Sequence, residues 1–296
     1  MSSSHAGYYV PHGTKWPILG SIALTLITAG FANLLPTHNA SHTFGGPGVY
    51  AMYAGAAILL VMLVGWFSTV IKESQAGMFN EQVDRSFRWG MAWFIFSEVM
   101  FFAAFFGTLF YARHMSVPWL AGEGSSADMN ALLWPGFQNT WPSNGPGAVG
   151  GKFEIIPAWG VPALNTLILL TSGVTVTFAH WGLKKGNRGQ LILGLAATVM
   201  LGFSFVYFQA HEYAEAYSHL NLTLGSGIYG TTFFMLTGFH GMHVTLGAII
   251  LSVILFRSIR GHFTAEHHFA FEAAAWYWHF VDVVWLGLFV FVYWLV

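Results

Sequence analysis

The residues able to do chemistry are few, and nearly all sit in strongly apolar surroundings. Glu98 lies in the string FIFSEVMFF (94–102). Its helical neighbours at three and four residues are Phe94, Ile95, Phe101 and Phe102, none of which can pair with a carboxylate. Ionised groups are costly in such a place, so Glu98 is expected to be neutral for part of the time unless another helix supplies a donor. Its readings are a neutral acid hydrogen-bonded between helices, a proton relay, or a lipid sensor. His240 and His243, in TGFHGMHV (237–244), stand three apart on adjoining parts of one helical face. They could ligate a metal or haem only with ligands from other segments, and His279 is the one further histidine well inside an apolar stretch. Hydrogen bonding between helices or to lipid head groups is the plainer use, and Gly238, Gly241 and Gly247 suit close helix packing. His279 and Asp282 can pair within one helix, offsetting the desolvation of both. Glu272 falls near Arg257, Arg260, His267 and His268, an end that is either solvated charge or a seat for anionic head groups.

These side chains must be positioned by elements that cross a membrane. Of 296 residues, 55% are hydrophobic and 8% charged, against roughly 25% charged in an average soluble domain. Nothing charged lies between Lys15 and Lys72 or between Glu215 and Arg257. About 20 apolar residues make one helical crossing, and seven segments qualify: Trp16–Leu35, Val49–Ile71, Trp89–Tyr111, Ala158–Leu183, Gln190–Tyr213, Ile228–Phe256 and Phe271–Trp294. Glu98 then lies roughly 14 Å from one end of the third, near the bilayer centre. Clusters at 36–39 and 45–48, rich in Pro and Gly, break the first long apolar run into a hairpin. With the N-terminus inside, nine of the eleven Lys and Arg residues face the cytoplasm, leaving only Arg113 and Lys152 outside. The expected architecture is therefore all-α, seven-span, N-in and C-out. It divides into an N-terminal segment with a two-helix hairpin (1–75) and a five-helix part (76–296) with a long outer loop at about 112–157. That loop, with Trp119, Trp134 and Trp141, either packs on the outer face or binds a partner. The tryptophans of the last span suit an interfacial belt and helix packing rather than a substrate cage. The N-terminus has neither a signal peptide's pattern nor a transit peptide's arginines, and reads as mature chain.

Several function classes are excluded. The chain contains no cysteine, so it can hold neither disulfides, thiolate clusters nor c-type haem attachments. No span contains a lysine, which excludes a retinal Schiff base. A net charge of −1 without a basic run excludes nucleic acid as a partner. The residues themselves point to no catalytic group, no metal site and no cofactor of the chain's own.

The strings YGTTFF (229–234), TGFHGMHV (237–244), HHF (267–269) and FEAAAWYWHFVDVVW (271–285) closely resemble cytochrome c oxidase subunit III. Shorter matches in the same order extend the resemblance over nearly the whole chain: WP (16–17), VIKES (70–74), FRWG (87–90), SEV (97–99), VPALNT (161–166), SGV (172–174), AH (179–180) and QAHEY (209–213). The resemblance implies a subunit without redox metal beside subunit I of a haem-copper oxidase. That enzyme reduces oxygen to water with electrons from cytochrome c and pumps protons, its haems and copper lying in the partner subunits. The resemblance also implies a two-helix and a five-helix bundle with a lipid-filled cleft between them, a role in proton uptake, and protection against inactivation during turnover. Glu98 matches the family's buried, carbodiimide-reactive carboxylate, and Trp66, Lys72, Glu73, His243 and Arg257 match positions near cleft head groups. Lys72 stands where the mitochondrial form has arginine, keeping the charge without the bidentate fork. The outer loop is longer than in mitochondrial forms, which favours a bacterial inner membrane and an extra contact with subunit II or a small subunit. His240, His279, Asp282 and Glu272 are left as intramembrane polar packing. A homologous quinol oxidase subunit is the first alternative, although that family commonly lacks the first two helices. An independent proton channel is the second, and it lacks a connected polar path around Glu98.

Overall fold

The computed structural model describes residues 13–34 and 46–296. Its long helices are α1 (Trp16–Leu34), α2 (Pro47–Gln75) and α3 (Glu81–Tyr111), followed after two short helices, α4 (Val117–Leu120) and α5 (Ala127–Leu133), by α6 (Val161–Lys184), α7 (Arg188–Ser218), α8 (Gly227–Ile259) and α9 (Phe269–Leu288). Among the described residues no strand occurs, and seven helices are long and apolar enough to cross a membrane. Several begin earlier or run later than composition suggests, because the caps lie in polar sequence beyond the apolar stretch. The amide of Val83 donates to the Asn80 side-chain oxygen at 3.0 Å, starting α3 eight residues before Trp89. Asn187 caps α7 in the same way, accepting from the Gln190 amide at 3.1 Å. The expected break between the first two spans falls largely outside the described residues; α2 begins at its edge, with Pro47 in the first turn.

The chain divides into two compact units, Met1–Phe87 and Arg88–Val296. In the first, α1 and α2 run antiparallel along a seam of small residues. A Cβ at Gly55 would stand 2.7 Å from the Ala23 carbonyl oxygen, and one at Gly30 would stand 2.6 Å from that of Gly48. Close backbone approach of this kind is how helices associate where lipid removes the hydrophobic incentive to do so. Ile18, Leu24, Tyr50, Leu60 and Val61 point away from the seam and are exposed, as lipid-facing residues should be.

In the second unit α6 packs on α7, α7 on α8, α8 on α9, and α9 back on α6. The last span is the most enclosed: 61% of its membrane window is buried within the protein, against 33–39% for α6, α7 and α8. Trp278 and Trp285 of α9 are almost wholly buried. Glycines make their room, since a Cβ at Gly202 of α7 or Gly247 of α8 would lie 2.7 or 2.8 Å from the Trp278 ring. Each indole also meets a hydroxyl of α6: Trp278 Nε1 donates to Ser172 at 2.8 Å, and Trp285 Nε1 donates to Thr166 at 2.9 Å. Helix α3 leans on α8 and α9 through aromatic contacts, with Phe101 on Phe239 at 5.1 Å and Phe102 on Phe280 at 6.1 Å between ring centroids.

The long connection from 112 to 160 is folded onto the α7–α8 turn. Phe153 stacks on Tyr229 at 5.6 Å, Trp141 meets the same ring edge-on, and the Asn221 amide donates to the carbonyls of Gly150 and Lys152. Gly247→Ala should overpack Trp278 at a cost of about 1–3 kcal/mol, lowering the temperature at which the purified protein loses its helical signal. Gly189→Ala, in an exposed first turn where the nearest side-chain atom is 3.6 Å away, should not lower it.

Candidate functional site

The polar residues singled out from the sequence fall into three groups, each held by a different part of the second unit. The first joins α3 to α8. His243 Nδ1 lies 2.6 Å from the Phe239 carbonyl, so that nitrogen carries the proton and donates it along the helix. His243 Nε2 lies 2.9 Å from Glu98 Oε2. With Nδ1 committed as donor, one proton must sit between Nε2 and the carboxyl, whether the pair is written as acid and imidazole or as carboxylate and imidazolium. The donor that Glu98 lacks in its own helix thus comes from α8. The aromatic walls are Phe102, Phe101 and Tyr277, with ring centroids 5.1, 6.0 and 6.4 Å from that of His243. Both nitrogens of His243 are engaged inside the protein. Of the two uses expected of it, this histidine makes the bond between helices.

The second group lies between α6, α7, α8 and α9. His240 is fully buried, and its Nε2 donates to the Val281 carbonyl at 3.1 Å. Asp282 is buried and faces His279 Nδ1 at 3.4 Å, and His279 Nε2 lies 3.3 Å from the Thr177 hydroxyl. Gly173 supplies the space, since a Cβ there would stand 2.5 Å from Asp282 Oδ2. Sequence reasoning passed over the neighbouring network at the long-loop end. Gln209 donates to the Thr237 carbonyl at 2.7 Å, the Tyr213 and Thr237 hydroxyls are 2.6 Å apart, and Tyr293 donates to Glu212 Oε1 at 2.7 Å. Its signal was present in QAHEY (209–213), where Gln209 and Tyr213 share a helical face one turn apart.

The third group lies at the end of the unit that carries Lys184, Lys185, Arg188, Arg257 and Arg260. Glu272, in the first turn of α9, is paired with Arg88 of α3 and faces His268 Nε2 at 3.2 Å and His180 Nε2 at 3.8 Å through its other oxygen. The sequence reading placed Glu272 and His268 here but missed Arg88 and His180, which come from distant helices. Arg257 is buried with its guanidinium 4.5 Å over the Phe263 ring, and its Nε has no partner among the described residues. Beyond the helix, burial and the charges of Arg257 and Arg260 hold the His262 imidazole below its ordinary range. His240, His243 and His279 do not form a common ligand set. Among the described residues, the one group of three His, Asp or Glu ligand atoms within 4.8 Å of one another is His180, His268 and Glu272. In the first unit, Trp66 is exposed and stacked on Phe67 at 5.4 Å between centroids, with Lys72 and Glu73 in the last turn of the same helix.

Fold and site together define a polytopic helical membrane protein whose membrane-depth polar groups join helices to one another. The family model described as cytochrome c oxidase subunit III matches residues 5–296. Relatives named cytochrome c oxidase subunit 3 include those of Squalus acanthias, 41% identical over 295 residues and covering 99% of both chains, and Scyliorhinus canicula, 40% identical over 288 residues and covering 97% of this chain and 96% of the relative. The relative from Carassius auratus is 41% identical over 295 residues, again 99% of each chain. The chain belongs to the cytochrome c oxidase subunit III family.

Glu98→Gln keeps a donor facing His243 Nε2 and should leave the thermal stability of the purified protein near its parent value. Glu98→Leu leaves that nitrogen unpartnered and should cost about 1–3 kcal/mol. Equal losses in the two variants would mean that the charge of Glu98, rather than its hydrogen bond, holds α3 to α8.

Proposed function

We propose that this chain is the accessory subunit of a proton-pumping cytochrome c oxidase, directly beside subunit I and near subunit II, and contains no redox centre itself. The observation that carries this reading beyond family membership is the use made of the polar groups at membrane depth. Glu98 is tied to His243, His240 to the Val281 carbonyl, Asp282 to His279, and Glu212 to Tyr293. Each contact joins two groups locally. A proton channel would need such groups in a continuous file, which is why the channel reading is the weaker one.

In this reading the N-terminus faces the cytoplasm and the basic helix ends lie on that side, in a bacterial inner membrane. The two helices of the hairpin and the five that follow form separate bundles, with phospholipids in a cleft between them. Trp66, Lys72, Glu73 and Arg257 are the head-group contacts, and the lipids support proton uptake and protect subunit I during turnover. Arg257 lies at the basic end of its helix and favours an anionic head group over a neutral one, because a phosphate accepts charge-assisted hydrogen bonds. The quinol oxidase alternative retains the same fold and differs in the electron donor.

The decisive experiment is to purify the complex, record its visible spectrum, and strip this chain away. All haem absorbance should stay with the larger partner, and oxygen reduction with cytochrome c should begin at nearly the same rate but decay faster. Haem leaving with this chain would overturn the reading, and oxidation of ubiquinol but not cytochrome c would select the alternative. Arg257→Ala should shorten the enzyme's working lifetime more than it lowers the initial rate; an equal fall in both would remove the lipid role.

A further inference from the structure

The contact between His268 and Glu272 needs a cation. His268 Nδ1 lies 3.0 Å from the Thr264 carbonyl and donates to it. In the neutral ring that leaves Nε2 as a bare lone pair. This lone pair is buried, has no hydrogen-bond partner among the described residues, and lies 3.2 Å from Glu272 Oε1. Two electron-rich atoms at that distance repel unless a positive charge, a proton or a metal ion, lies beside them. His180 brings a third. Its Nε2 is likewise buried without a hydrogen-bond partner among the described residues, and stands 3.8 Å from the same oxygen.

The geometry points to a binding site for a zinc-class divalent cation formed by His180 Nε2, His268 Nε2 and Glu272 Oε1. Two imidazoles and a carboxylate are a ligand set that zinc accepts, with a fourth position left for water. Metal–ligand distances of about 2.0–2.2 Å in a tetrahedron place neighbouring ligand atoms roughly 3.3–3.5 Å apart. The 3.2 Å separation already meets that spacing, the 3.8 Å one needs a few tenths of an ångström, and the two imidazole nitrogens, within 4.8 Å of each other, close the set by rotation of the His180 side chain. The spacing in sequence also suits chelation, because His268 and Glu272 are one helical turn apart at the start of α9, and His180 reaches them from the last turns of α6.

The surrounding contacts orient the ligands. The Thr264 carbonyl fixes the tautomer of His268, and Arg88 occupies the other oxygen of Glu272, leaving Oε1 for the metal. Supporting contacts of this kind are the usual accompaniment of metal ligands. His180 is packed against the Phe271 ring at 5.2 Å and the His268 ring at 5.5 Å between centroids. The nearby Lys184 and Arg88 charges weaken the pull on a cation, so the site should be reversible. A bound ion would tie α6 to α9 at their basic ends. The site stands on these three side chains and does not depend on the accessory-subunit reading.

The test uses the purified complex containing this chain, freed of metal by chelator and titrated with Zn2+ alone in equilibrium dialysis. The parent should bind one more zinc per complex than either His268→Gln or His180→Gln. Diffraction from zinc-soaked crystals of the parent, recorded across the zinc edge, should place anomalous density about 2.0–2.2 Å from His268 Nε2 and Glu272 Oε1. Equal zinc counts in parent and variants would overturn the proposal. So would an anomalous map with zinc elsewhere and none between these residues, which would mean that a proton alone bridges His268 and Glu272. If either variant fails to assemble, the map of the parent decides by itself.

Discussion

Every polar group that enters the hydrocarbon must find its partner inside the protein, since lipid offers none. In the second unit several of the residues that answer this requirement also carry the packing. The indole of Trp278 fits between Gly202 and Gly247, and its one polar hydrogen reaches Ser172 on a third helix. Trp285 repeats the arrangement with Thr166, and His240 bonds to the backbone of α9 across from its own helix. Helix α9 is thus held by hydrogen bonds whose alternatives in lipid are poor, and by small residues that let the donors come close. The first unit shows the other solution: among its described residues, Gly30, Gly48 and Gly55 let two backbones approach closely along the seam.

The same constraint explains what was legible in the sequence. Seven apolar stretches were countable because composition alone separates hydrocarbon from water, and the helices are where those stretches are. Their ends were less legible: Asn80 and Asn187 start helices in polar sequence that hydropathy does not mark. Glu98, His240, His279 and Asp282 stood out because an ionisable residue among phenylalanines is conspicuous. The pairing of His279 with Asp282 was legible too, because both lie on one helix; the partners of Glu98 and His240 were not, because they depend on which helices become neighbours. His243 was visible as a polar residue suited to bonding between helices or to head groups, but nothing in its own helix reveals that Glu98 faces it from 145 residues away. Arg88 and His180 were hidden in the same way, as they reach Glu272 from α3 and α6.

The basic end differs in character from the membrane interior. There, positive and negative groups share a polar boundary, so ion pairs such as Arg88–Glu272 cost less to form and are more weakly held. Arg257 is the exception, a buried guanidinium resting on Phe263 with part of its donor capacity open. Glu272 stands at the meeting point of α3, α6 and α9, with two histidines facing one oxygen and an arginine the other. One carboxylate there sets how three helix ends are charged with respect to each other.

The order of the helices along the chain also has a bearing on biosynthesis. The segment that fills the ring, α9, is made after α6, α7 and α8 have entered the bilayer. Until it arrives, the His240 ring lacks its carbonyl partner, Ser172 and Thr166 keep only the bonds to their own helix, and Gly202 and Gly247 border an empty slot. In that state the His240 ring of α8 has no carbonyl to meet, and α6, α7 and α8 border a slot shaped for indoles that lipid tails fill poorly. Insertion of this chain should therefore depend on sheltered residence beside the translocation machinery, released only when the tryptophan-bearing helix slides into place.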